Sequence, residues 1–111
     1  MGRNKEGAEK KKGLAFPFEF HPEVEFDLLD ARDYYDNQRQ GLGDEFLLSV
    51  EASLNYISRH PLHFSILLSQ TLHTRIKRLP FGIFYILLND TIYITAVTHL
   101  NRNPQVWKSR M

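Results

Sequence analysis

Cysteine is missing from all 111 residues, so a disulfide framework and a thiolate metal centre are both excluded. Missing as well is any apolar run near the roughly 20 residues that a membrane helix requires. Residues 1–13 are polar and hold no apolar segment of the signal-peptide kind. Together these absences predict a cytoplasmic protein with no membrane contact. No glycine-rich phosphate loop and no Gly-X-Ser-X-Gly elbow is present, which removes the usual signatures of nucleotide binding and serine catalysis. His21, His60, His63, His73 and His99 stand without cysteine or a clustered carboxylate beside them. The expectation is therefore no metal and no other cofactor.

Acidic residues are nearly missing from one part of the chain. Residues 55–111 hold seven Lys or Arg and only Asp90, a net of +6. Residues 14–54 hold ten Asp or Glu against two Arg, a net of −8, and residues 1–13 hold five Lys or Arg against two Glu, a net of +3. An overall charge of +1 thus hides a strong segregation, which points to separate electrostatic surfaces on one small domain. The basic part suits nucleic acid, an acidic enzyme surface or an acidic inhibitory partner. Residues 1–13 lack apolar periodicity and read as a disordered basic tail. Residues 14–111 suffice for a single domain with one modest core.

What is present is patterned. Ala15 to Phe20 alternates as a short first strand with Phe16, Phe18 and Phe20 on one face, and Pro17 places it at an edge or a strand start. His21-Pro22 marks a switch to helix. Glu23, Glu25 and Asp27 fall in its first turn, where carboxylates suit the positive end of the dipole. They read as a solvated face rather than a catalytic pair. Val24, Leu28, Ala31 and Tyr35 form one buried stripe at helical spacing. Gly41-Leu42-Gly43 links this helix to a second, with Asp44 as N-cap. The second helix carries Leu47, Val50, Leu54 and Ile57 on one face, flanked by Phe46 and Ser53, and ends before Pro61.

Residues 62–70 are either a connection with one short strand or an extension of the strand that follows. Leu72, Thr74 and Ile76 alternate with His73, Arg75 and Lys77, the pattern of a strand with one wet face. That places Arg75 and Lys77 on one side. Pro80-Phe81-Gly82 breaks the run. Ile83 to Leu88 is a central strand, Asn89-Asp90 a two-residue turn, and Thr91 to Val97 a further strand with Ile92, Ile94 and Ala96 on one face. The element order predicts an α+β domain. Its parts are an N-terminal strand and a two-helix hairpin packed on a three- to four-stranded antiparallel sheet.

At the carboxyl-terminal strands the residues resemble a known signature. Arg78, Pro80-Phe81, Tyr85, His99, Arg102-Asn103-Pro104 and Trp107-Lys108-Ser109-Arg110 are similar to the closing motif of the RelE/ParE toxin superfamily, and most of all to its ParE branch. Ala31 to Asp36 and Gly41 to Phe46 resemble the family's two helices and the link between them. Leu79 and Phe81 replace the usual Phe and Tyr, and Leu72-His73 stand where many members carry arginine. The resemblance covers roughly residues 15–110 and is specific as a set.

The resemblance implies the toxin of a type II toxin–antitoxin module, linked to growth inhibition and plasmid stabilization. Such a ParE-like toxin would poison DNA gyrase by protein contact with no substrate turned over. A cognate antitoxin would neutralise it, with a toxin–antitoxin heterotetramer as one assembly. The basic half offers ion pairs to an acidic, partly disordered antitoxin. Leu47 and Val50 could serve antitoxin burial only if the core leaves them free. Residues expected at the target contact are Arg75, Lys77, Arg78, His99, Arg102, Trp107 and Arg110. Trp107 also reads as an anchor packed on the sheet.

The alternative is a RelE-like, ribosome-dependent and metal-independent messenger-RNA endonuclease. Such cleavage needs a base, an acid and cations around the phosphate, and Arg75, Lys77, Tyr85 and His99 are the candidates. His99 has a structural hydrogen-bonding reading beside the catalytic one. A third reading is a non-toxic relative kept as a binding module.

Overall fold

The apolar stripes of two short helices cannot cover each other completely, and here both lie against one face of a twisted sheet. The computed structural model describes residues 15–62, 65–68, 71–101 and 104–110. The expected tail at 1–13, His63 and Arg102 lie outside the described residues. The elements in chain order are β1 (Phe18–Phe20), α1 (Val24–Gln38), α2 (Leu42–Arg59), β2 (Ser65–Leu68), β3 (Thr71–Arg75), β4 (Phe81–Leu88), β5 (Thr91–His99) and α3 (Gln105–Lys108). No helix among the described residues is long and apolar enough to cross a membrane.

Strands β2 to β5 form the expected antiparallel sheet. The amino-terminal strand adds a parallel fifth at the edge, in the order β1-β5-β4-β3-β2. It is shorter than Ala15–Phe20, and Phe20 is left half exposed. The chain before it is nonetheless held, since Phe16 N–H donates to Ser58 O and Ile92 N–H donates to Pro17 O.

The helical hairpin follows the sequence pattern closely. Val24, Ala31 and Tyr35 from α1 meet Phe46, Val50 and Ile57 from α2 over Leu72, Ile83, Tyr85, Ile92 and Ile94. Leu28, Leu47 and Leu54 flank this core, half-buried, so Leu47 is only partly free and Val50 is consumed by the core. The link between the helices differs from expectation. Gly41, not Asp44, is the N-cap of α2, with φ +89°, a left-handed conformation that glycine adopts without steric cost. Asp44 sits inside the first turn and pairs loosely with Arg32 at 3.7 Å. Gly43 permits the close crossing of the helices: a Cβ there would lie 2.6 Å from the Arg32 carbonyl oxygen. Its N–H donates instead to Asp36 Oδ1 at 2.6 Å.

Two features of the sheet depart from simple alternation. The break between β3 and β4 falls at Lys77–Pro80 rather than Pro80–Gly82, with Arg78 at φ +67° and Phe81-Gly82 already paired to His99 and Thr98. The β4–β5 turn is as predicted, Asn89 and Asp90 both having positive φ (51° and 62°), as a type I′ hairpin demands. Within this hairpin Phe84 pairs with Ala96 but Tyr85 pairs with Ile94, so Thr95 is an extra residue. Such a bulge inverts the facing of everything beyond it. Ala96 therefore leaves the face of Ile92 and Ile94 and joins Phe84 and Trp107 on the opposite side, while Val97 enters the main core.

Candidate functional site

The bulge decides where the sequence-predicted site residues go. His99 follows Val97 onto the helical face of the sheet, where its ring meets Phe81 edge-on at 5.4 Å. There it borders an open cavity of about 370 Å³ with Asp30 and Tyr34 of α1. Its Nδ1 accepts the Asn101 N–H at 3.1 Å. Tyr85 lies deeper still, with no exposed surface, and its hydroxyl donates to the Pro61 carbonyl at 2.7 Å. Burial pushes its phenol pKa up to about 12.

Arg75 alternates with Leu72 and Thr74, is exposed, and braces the following turn by donating from Nε to Leu79 O at 2.9 Å. Lys77 is not on the strand with it. It stands in the turn beside Arg78, both facing α2 across a small cavity. The four residues weighed for phosphate chemistry are thus not assembled at one place: Tyr85 is sealed in the core, His99 lies against α1, and Arg75 and Lys77 flank the β3–β4 turn.

The carboxyl-terminal segment closes the other side. Trp107, on α3, is 5% exposed and stacks on Phe84 with centroids 5.1 Å apart and planes at 12°. An indole so placed contributes its stabilisation to the fold. The guanidinium of Arg110 is likewise turned inward. It donates to Asp27 of α1 through two bonds of 2.6 and 3.1 Å and to Thr95 O at 3.2 Å. Asp27 also accepts the Val97 N–H at 3.0 Å, so one carboxylate joins α1, β5 and the carboxyl terminus. This pair is mostly buried, whereas Arg39–Glu45 and Arg32–Asp44 are solvated and contribute little. Nothing in the sequence alone paired Asp27 with Arg110 across 83 positions. The place of Asp27 in an acidic first turn explains it only after the fold brings β5 alongside.

Of the residues expected to grip a target, the structure therefore groups Arg75, Lys77 and Arg78 around one turn and leaves Lys77 and Arg78 exposed. It commits Trp107 and Arg110 to the fold and places His99 elsewhere. Two residues near Lys77 and Arg78 went unremarked as site residues: Tyr35 and Ser49 line the same cavity. Their signal was only helical spacing. Among the described residues no group of three His, Asp or Glu is arranged to hold a metal ion.

Comparison with known proteins adds the family. A chain of the toxin–antitoxin complex RelBE2 from Mycobacterium tuberculosis superposes with a TM-score of 0.54 at 20% identity, covering 78% of this chain and 99% of that one. At that identity the likeness speaks to the fold alone. No curated protein matches at a significant level. A family model described as the ParE toxin of the type II toxin–antitoxin system, parDE, matches residues 18–104, from β1 to the segment before α3. The chain, with its helical hairpin on a sheet and its basic β3–β4 turn, belongs to the ParE toxin family of type II toxin–antitoxin systems.

Proposed function

We propose that this toxin acts in the cytoplasm by binding DNA gyrase, and that a cognate antitoxin neutralises it within a toxin–antitoxin complex. The ParE family match over residues 18–104 carries the reading. One observation supports contact with a protein over cleavage of messenger RNA, and a second is compatible with it. The Tyr85 hydroxyl is held in the core by Pro61, away from any phosphate that Arg75 or Lys77 could reach. The exposed cations at the β3–β4 turn offer charge to an acidic protein surface. The antitoxin reading draws support from the same family, and from the exposed Lys77 and Arg78, which suit an acidic, disordered partner segment.

The experiment places purified protein in two reactions. One contains gyrase, ATP and relaxed plasmid; the other contains translating ribosomes and a defined messenger. The expected result is lost supercoiling with cleaved DNA trapped on gyrase, and an intact messenger. Cleaved messenger beside normal supercoiling would reverse the assignment. Induced expression should arrest growth, and co-expression of the product of a neighbouring short gene should restore it. Unimpaired growth on induction would remove the toxin reading altogether.

A further inference from the structure

Where the β3–β4 turn lies over the first half of α2, a cavity of about 230 Å³ is walled by Lys77, Arg78, Tyr35, Ser49 and Glu45. Tyr35 is 6% exposed, and its hydroxyl is buried with no hydrogen-bond partner. A buried donor left unmade is destabilising, and a guest that supplied the acceptor would remove that cost. Burial, with Tyr34 as a lesser cause, holds this phenol above the ordinary tyrosine range, so it remains a donor at neutral pH. Its ring is fixed by stacking on Phe46 at 5.3 Å, which leaves the hydroxyl little freedom to find another acceptor. Lys77 and Arg78 are exposed and have no ion-pair partner among the described residues. Two free cations and an orphaned donor on one small cavity describe an anion site.

We propose that this cavity receives a single carboxylate side chain from an acidic peptide segment, with the Tyr35 hydroxyl donating to it and Lys77 and Arg78 balancing its charge. A peptide fits better than nucleic acid for two reasons. Glu45 stands in the same wall, paired with Arg39 at 3.4 Å, and α1 and most of α2 belong to the stretch of net charge −8. A run of phosphates would have to cross those carboxylates, whereas one isolated carboxylate need not. Leu42, Phe46 and Leu79 also line the cavity and suit the apolar neighbours of a peptide side chain. The site is independent of whether gyrase is the target and of which antitoxin is the partner.

The test uses the full chain and a fluorescein-labelled ten-residue peptide of Ser and Leu that holds one Glu at its centre, followed by anisotropy at about 50 mM salt, where exposed charges are weakly screened. A ten-nucleotide thymidine oligomer is the nucleic-acid probe. The peptide should bind and the oligomer should bind more weakly. Tyr35→Phe should weaken the peptide about five-fold, the loss of one hydrogen bond to a charged group, without lowering the thermal midpoint. Lys77→Gln with Arg78→Gln should weaken it at least about ten-fold, and raising the salt should have the same direction of effect. A purely structural Tyr35 would leave peptide binding unchanged. Absence of peptide binding, variants within about two-fold of wild type, or preference for the oligomer would each overturn the proposal.

Discussion

Replacing Asp27 with alanine tests a contact that joins α1, β5 and the carboxyl-terminal segment. Its carboxylate accepts two bonds from Arg110 and one from the Val97 N–H, and the two side chains are 14% (Arg110) and 11% (Asp27) exposed. Removing one member of a buried pair leaves the other charge uncompensated, at a cost of about 3–5 kcal/mol. The stranded Val97 N–H adds roughly 1 kcal/mol more. Since a domain of this size holds about 5–15 kcal/mol in total, Asp27→Ala should remove about a quarter or more of the stability. Arg110→Ala should cost less, about 2–3 kcal/mol, because Asp27 keeps the Val97 donor. The double variant should fall short of the sum by at least about 1 kcal/mol, since the two residues act on each other. Urea unfolding followed by fluorescence and by far-UV circular dichroism measures all three. Trp107, the single tryptophan, reports directly on the carboxyl-terminal segment because it is stacked on Phe84. If Asp27→Ala costs less than about 1 kcal/mol and the double variant is additive, the pair is a surface contact in energetic terms and the argument fails.

Tyr85 gives a pH prediction. Its phenol is raised from 10.0 to about 12, so the unfolded chain releases this proton first as the pH rises. The contribution, on the order of 3 kcal/mol, is complete below pH 10 and is lost between pH 10 and 12. Denaturation midpoints measured across that window should fall for the wild type and stay flatter for Tyr85→Phe; parallel curves would contradict the assignment. Gly43→Ala should separate the helices, because its Cβ would lie 2.6 Å from the Arg32 backbone oxygen, and a loss of about 1–3 kcal/mol is expected in thermal melts. Gly82→Ala meets the flexible end of Leu100 at 2.7 Å, with Phe84 and the Thr74 carbonyl oxygen at 3.4 Å, and should be milder, so equal losses would refute this reading of the crossing. Asp90→Gly should stabilise the β4–β5 hairpin by roughly 0.5–1 kcal/mol, as φ is +62° there; a lowered melting midpoint would argue against a type I′ turn.

The helical hairpin was legible because its cause is local. Val24, Ala31 and Tyr35 on α1, and Val50 and Ile57 on α2, are buried as their spacing requires, whereas Phe46, expected at the flank, is buried more deeply than Leu47 and Leu54. Asn89-Asp90 was legible for a similar reason, since two adjacent residues that tolerate positive φ serve a tight turn. The extra residue at Thr95 was not. Nothing in Ile94-Thr95-Ala96-Val97 departs from an ordinary strand, and the bulge exists only as a mismatch with Phe84 and Tyr85 on the neighbouring strand. One such residue turned His99 toward α1 and Ala96 toward Trp107, and so dispersed the candidate phosphate site. The β3–β4 break was misplaced by a few residues for a related reason: Arg78, not glycine, takes the positive φ.

By itself, then, the order of residues determined the element types, the segregation of charge and the family, because each depends on spacing or composition within a short window. Only the folded chain decided which cations remain free. Whether Arg110 meets Asp27 or solvent, and whether Lys77 joins Arg75 or faces Tyr35, depends on strand register and on the path of a turn. Those are contacts between segments far apart in the chain, and no local pattern encodes them.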